Sequence, residues 1–240
     1  MTNVGKPKPK KKWFELQFEG GVDKWGHGWK GSQKYRFDLC FNMIKQSLID
    51  KKNVLDIGCA LGDFTNRIYE ANTDSYVHGI DISENAIKTV KKLYPEIHFE
   101  VNKLPNIRTF RDGSFDLITA LEIIGYLDNE DVLKSFKKIH KLLKDDGLFL
   151  FSGKFDYFDE NDIVNCIIDS GFEIVNIRYY HCRLYKKIES GLMKRGRIAH
   201  IILRNKHIPH FLDSLSKLFL WEGGKTHIFI LAKKVEEEDE

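Results

Sequence analysis

The stretch from Val54 to Thr65, VLDIGCALGDFT, restricts the fold more than any other part of the 240-residue chain. A short run suited to a buried strand, Val54 to Ile57, meets Gly58 and then Gly62, with an acid on either side of the turn at Asp56 and Asp63. A strand that stops in spaced glycines and restarts as a helix fits a parallel α/β sheet. In such sheets ligands lie outside the carboxyl ends of the strands, directly against backbone that carries no bulky side chain.

The rest of the chain keeps that rhythm. Alternation and apolar runs predict strands over 53–57, 76–80 (ending at Asp81), 97–101, 114–120, 147–151, 172–180 and 226–233. Helical spacing covers 34–50, 63–71, 84–93 with Ser83 as N-cap, 128–143 and 161–170. Strand and helix in turn give a doubly wound, mostly parallel sheet covered on both faces. Residues 1–32 read as a tail and an aromatic, glycine-rich arm outside the core, 33–235 as the domain, and 236–240 as an acidic tail. One segment breaks the pattern. Residues 182–224 are far longer than a hairpin needs. They carry Arg183, Lys186, Lys187, Lys194, Arg195, Arg197, Arg204 and Lys206, with an amphipathic stretch from Phe211 to Trp221. This is a basic helical insertion, either a substrate cap, a contact for an anionic surface such as a membrane, or a set of solvated faces.

Composition excludes several classes. A hydrophobic share of 42% and a charged share of 30% are those of a globular protein, and a net charge of +3 is too mild to imply nucleic acid. No apolar run approaches the ~20 residues of a membrane span. Cys40, Cys59, Cys166 and Cys182 show no C-x-x-C spacing, and the lysine-rich start lacks an apolar signal region. A reducing, cytoplasmic setting is the expectation. His207 and His210 have no matching cysteine or acid nearby, so no metal site is expected.

The bend itself selects a ligand. Asp81 closes the second strand, where an acid can accept hydrogen bonds from two ribose hydroxyls. The nicotinamide pattern G-x-G-x-x-G would place its third glycine at Asp63 and fails there, and an aspartate would repel a pyrophosphate. Asp56 and Asp63 suit a cationic nucleoside instead. S-adenosylmethionine, with a sulfonium, an ammonium and no phosphate, meets that description.

VLDIGCALGDFT, GIDIS, SFDLITALEIIGYL and KKIHKLLKDDGLFLFSG, in that order, resemble the class I S-adenosylmethionine-dependent methyltransferases. Ala60 replaces the middle glycine of their acid-x-G-x-G-x-G loop. Within the class, SFDLITALEIIGYL and the upstream GVDKWGHGWKGSQKYRFDL are similar to nodulation-type sugar N-methyltransferases and related glycan and small-molecule enzymes. Gly125 stands where such relatives often carry a bulkier residue. The resemblance implies a Rossmann-like, seven-stranded sheet with its last strand antiparallel. It implies that Asp56, Gly58, Cys59, Ala60 and Gly62 hold the methionine moiety. Asp81 would take the ribose, with Ile82 on the adenine; Asn102, Lys103 and Leu104 would flank the adenine, and Leu121 and Glu122 would line the methyl-donor end. The family usually has an aspartate near Asn102.

Methyl transfer from a sulfonium is an in-line displacement, and holding donor and acceptor in near-attack geometry supplies most of what a protein must add. Glu122 is the candidate to orient an amine or to take a proton from a hydroxyl, with Tyr126 and His27 as further candidates. Trp25, Trp29 and Tyr35 are either a lid over the cofactor or the arm's own core. The expected acceptor is a small molecule or glycan, anionic if Arg195 and Arg197 take part. The alternatives are an RNA methyltransferase, although LEIIGYL stands where an N/D-P-P motif would, and a non-catalytic cofactor binder.

Overall fold

The computed structural model describes residues 8–181, 183–192, 201–219 and 225–235. Seven strands form one sheet: β1 (Asn53–Ile57), β2 (Tyr76–Asp81), β3 (His98–Val101), β4 (Phe115–Leu121), β5 (Leu143–Lys154), β6 (Phe172–Tyr180) and β7 (His227–Lys234). Their spatial order is β3-β2-β1-β4-β5-β7-β6. All pairings among the first five strands are parallel, and β7 runs antiparallel to both β5 and β6. The chain leaves β1 toward β2 and β3, then returns to β1's other side at β4, so the switch point lies at the carboxyl ends of β1 and β4.

Period-two alternation sends neighbouring strand residues into two separate cores. Val54, Leu117, Leu150 and Phe229 join the cluster beneath α2 (Gly31–Ile44), α3 (Asp63–Ala71) and α4 (Glu84–Leu93). Leu55, Ile118, Phe149, Phe151 and Ile230 join the opposite cluster, beneath α5 (Asn129–Leu142) and α6 (Glu160–Ile168). Each large side chain so buried contributes about 1.5–3 kcal/mol. Ser83 caps α4 by accepting the Ala86 amide at 3.2 Å, as its position before the apolar repeat predicts.

The structure departs from the sequence reading at several points. The helix expected over 34–50 runs from Gly31 to Ile44, with a separate turn at Ser47–Ile49. Strand β5 begins at Leu143, not Gly147, because Leu143 already pairs with Phe115 and the ladder continues past Asp146, at φ 59°. The arm holds a short helix, α1 (Lys11–Gln17), and is not outside the core: Phe18 is buried with Ala60, Leu61 and Ala86. In the insertion, α7 (Arg183–Leu192) and α8 (His207–Phe219) are ordered helices, and α8 starts four residues before the amphipathic stretch noted above. Lys194, Arg195, Arg197, Leu220, Trp221 and the acidic tail 236–240 lie outside the described residues.

The insertion is pinned to the domain through a buried carboxylate. Asp213 of α8, with no exposed surface, accepts from Tyr35 Oη at 2.7 Å, from the His181 amide at 2.6 Å and from Lys217 Nζ at 2.7 Å. Burial and this carboxylate push the Tyr35 phenol far up, so it donates and does not ionise.

Candidate active site

The β1–α3 turn is built from backbone that tolerates few side chains. Gly58 has φ 79°, and a Cβ there would lie 2.2 Å from Ile123 Cγ2. Gly62 has φ 82° and caps α3. Ala60 sits between them at φ 51°, a left-handed conformation that costs an alanine roughly 1–2 kcal/mol. Two hydrogen bonds from Gly58 N and Cys59 N to Ile80 O, at 2.7 and 3.0 Å, tie the turn to β2.

Two buried carboxylates organise this turn differently. Asp56 is clamped by two hydroxyls, Thr65 Oγ1 and Thr119 Oγ1, each donating at 2.6 Å. Burial raises its pKa against the pull of those hydroxyls. It fastens β1 to α3 and β4. Asp81 accepts from Ala60 N at 3.0 Å and Ser83 N at 2.9 Å, and burial pushes it up to about 6. Asp63, on the first turn of α3, is likewise pushed up to about 6, by burial first and then by the nearby Asp23 carboxylate.

These residues line one cavity of about 300 Å³. One wall holds Asp56, Gly58, Cys59, Ala60, Asp81 and Ile82, continued by Asn102, Lys103 and Leu104, with Leu121 at the end of β4. Asn102 spends its amide on Glu100 and Thr109, at 3.1 and 2.9 Å. Gly62 shapes the turn from outside the lining.

The far end of the cavity gathers Glu122, Tyr126 and His27 with Arg36 of α2. Glu122 follows β4 at φ 61°. Its Oε2 is 3.2 Å from Arg36 Nη1 and 3.8 Å from His227 Nε2, and its Oε1 accepts from Ser152 Oγ at 3.2 Å. Burial pushes His27 down to about 4, so the ring is neutral at physiological pH. Burial pushes the Tyr126 phenol up to about 12. Pro9, Phe14 and Trp25 of the arm roof the cavity. Glu15 latches that roof to the amino end of α4: its carboxylate accepts from Glu84 N at 2.9 Å, Asn85 N at 3.0 Å and Ser83 Oγ at 2.8 Å.

Residues 54–147 match the family model described as a methyltransferase domain. That segment is a methyltransferase domain. It is 26% identical over 197 residues to a carboxy-S-adenosyl-L-methionine synthase of Campylobacter fetus, covering 78% of this chain and 80% of that protein. It is 28% identical over 149 residues to a ribosomal protein L11 methyltransferase of Dictyoglomus turgidum, covering 58% of this chain and 45% of that one. The chain spans about half the length of several such curated relatives. Two solved structures share the methyltransferase fold. The [4+2]-cyclase SpnF has a TM-score of 0.68 at 14% identity, covering 98% of this chain and all of that one. The N-methyltransferase NodS of Bradyrhizobium japonicum, bound to S-adenosyl-L-homocysteine, has a TM-score of 0.67 at 14% identity, covering 95% of this chain and all of that one.

The donor set of this methyltransferase domain suits S-adenosylmethionine. Buried Asp81 ends β2, apolar Ile82 and Leu104 line the wall beside it, and Asp63 adds a further carboxylate to the lining. Of the three aromatic residues of the arm region weighed above, Trp25 reaches the cavity, while Trp29 packs on the core and Tyr35 holds the insertion. Arg36, Gln33, Ser152 and Tyr157 line the site without having been singled out in the sequence. The available signal for Arg36 is its place on the helical stripe of Cys40 and Met43, where an apolar residue is due. At Gly125 a Cβ would lie 2.5 Å from Tyr157 Cδ2, so that ring fills the volume of the missing side chain.

Proposed function

We propose that the chain transfers a methyl group from S-adenosylmethionine to an oxygen or nitrogen of a small-molecule acceptor. The observation that carries this is the single cavity joining the cofactor wall to a polar end, under the roof of Phe14 and Trp25. A roofed pocket favours a small acceptor over a polymer. S-adenosylmethionine supplies an electrophilic methyl group when bound. Asp81 would hold the ribose, Ile82 and Leu104 the adenine, and the turn from Gly58 to Gly62 the methionine portion.

At the acceptor end, Arg36 and Ser152 hold the Glu122 carboxylate in one orientation. That oriented carboxylate accepts an N–H from a neutral amine, or takes the proton of a hydroxyl as attack proceeds. His27, kept neutral, is an additional proton acceptor in the same end of the cavity. Tyr126 stays protonated and acts as a donor. An anionic group on the acceptor would meet Arg36; Arg195 and Arg197, first weighed for that part, lie outside the described residues. Calorimetry with S-adenosylmethionine and its demethylated product tests the cofactor site, and methyl transfer to a panel of small amines and hydroxyl compounds tests the acceptor. Absence of binding to either nucleoside would overturn the reading.

A further inference from the structure

Helix α8 is apolar on two faces. Its inner face packs Ile208 and Leu212 on the core, beside buried Asp213 and Ser216. Its outer face shows three more apolar residues, Phe211 at 64%, Leu215 at 36% and Leu218 at 75% exposed. Positions i, i+4 and i+7 share one helical face, so these three form a single row. The short helical segment at 201–204, just before α8, adds Ile201, at 71%.

The sequence that carries this row is basic. Residues 182–224 hold nine lysines and arginines against three acids, a net +6 in a chain whose total is +3. Two of the three acids are turned inward: Asp213 sits under Tyr35, His181 and Lys217, and Glu189 accepts from Ser32 Oγ at 2.8 Å. The third, Glu222, lies outside the described residues. Arg204 is exposed, and Lys206 and Lys217, which pair with Asp38 and Asp213, still keep 46% and 40% of their side chains in solvent.

We infer that the outer face of α8 docks on an anionic lipid bilayer surface, with Phe211, Leu215 and Leu218 entering the headgroup boundary and the surrounding cations meeting acidic lipids. This pairing of a short apolar row with basic flanks is what an interfacial helix needs. A second copy of the chain fits worse, because a two-fold contact would set a positively charged face on itself. A nucleic acid would use the cations but gain nothing from protruding leucines. The inference does not depend on the methyl-transfer reading.

Co-sedimentation of the full chain with phosphatidylcholine vesicles, with and without phosphatidylserine, tests it. Binding is expected only with phosphatidylserine and should weaken as salt rises. The double variant Phe211→Ser, Leu218→Ser should bind at least about tenfold more weakly, with an unchanged circular dichroism spectrum and melting temperature, since both side chains are exposed. The single variant Leu218→Ser gives an intermediate loss and guards against a folding defect in the pair. Three results would overturn the proposal: no binding to acidic vesicles, equal binding to neutral ones, or a wild-type dimer that the double variant converts to monomer. Retention on RNA that survives both serine substitutions, with none on vesicles, would overturn it as well.

Discussion

Arg36 Nη1 lies 3.2 Å from Glu122 Oε2, joining the second helix to the end of β4 across the acceptor end of the cavity. The arginine side chain is only 9% exposed and the glutamate 23%. The pair thus works in a region where water screens poorly, and each charge depends on the other.

Removing either charge should therefore have different consequences. Arg36→Met leaves a half-buried carboxylate without its main partner. Its cost should fall toward the low end of the about 3–5 kcal/mol typical of a broken buried pair, given Glu122's residual exposure. Glu122→Gln keeps an oxygen for Arg36 and should lose less stability. It should lower kcat strongly while leaving the dissociation constant of S-adenosylmethionine unchanged. Calorimetry and steady-state kinetics separate the two, and unchanged turnover would remove Glu122 from the chemistry.

The arm latch gives a second prediction. Burial pushes Glu15 up, but the amides of Asn85 and Glu84 and the Ser83 hydroxyl outweigh it and hold the carboxyl below its ordinary value. The stability it contributes is therefore present above the ordinary glutamate range and is lost as pH falls through the lowered folded value. Glu15→Ala should cost about 0.5–2 kcal/mol, as removal of a helix cap does. Because Ser83 still caps α4, that helix should persist while amide exchange in Lys11–Gln17 rises. Faster cofactor dissociation should accompany it, measured by stopped-flow displacement. An unchanged off-rate would show that the roof does not gate the site.

The chain announces the sheet and the cofactor wall better than the acceptor end. Strand β1 and helices α3 and α4 fall where the apolar periods put them, because their buried faces follow that period, and β6 falls where expected through its pairing with β7. The place of Asp81 is legible because a strand end and a following N-cap fix it. Helix α1 is not, since seven residues with no buried side chain are helical only through docking. Arg36 and Asp213 escape for a related reason. A charge inside an apolar stripe reads as an interruption until its partner, 86 or 178 residues away in sequence, is known.

Tyr35 and Asp213 show what such a partner is worth. Tyr35→Phe deletes one hydrogen bond to a carboxylate with no exposed surface, leaving the His181 amide and Lys217 in place. A hydrogen bond to a charged group contributes about 1.5–3 kcal/mol, so a loss in that range is expected from urea unfolding. The damage should be local. Proteolysis within 182–224 should speed up, while S-adenosylmethionine binding should persist. Equal protease resistance of the variant would mean that packing alone holds the insertion.

Two acids at the cofactor wall predict opposite pH responses for the free and the bound protein. Asp81 and Asp63 are both pushed up to about 6 from an ordinary 3.8, chiefly by burial. For the free protein, a carboxyl with a raised folded pKa contributes stability that is fully present below the ordinary value. That stability is lost as pH rises through about 6, because the unfolded chain releases the proton more readily. On the proposed reading, cofactor binding needs the ionised forms, with ribose hydroxyls donating to the Asp81 carboxylate and negative Asp63 attracting the cationic end. Affinity for S-adenosylmethionine should therefore rise from about pH 5 to about pH 7, by up to roughly tenfold per unit for each group that must ionise. The thermal shift on adding cofactor should grow over the same window in which the free protein's melting temperature loses the contribution of these two groups. Asp81→Asn should bind weakly and remove that residue's share of the slope. A wild-type affinity that stays flat across the window would separate Asp81 from the ribose.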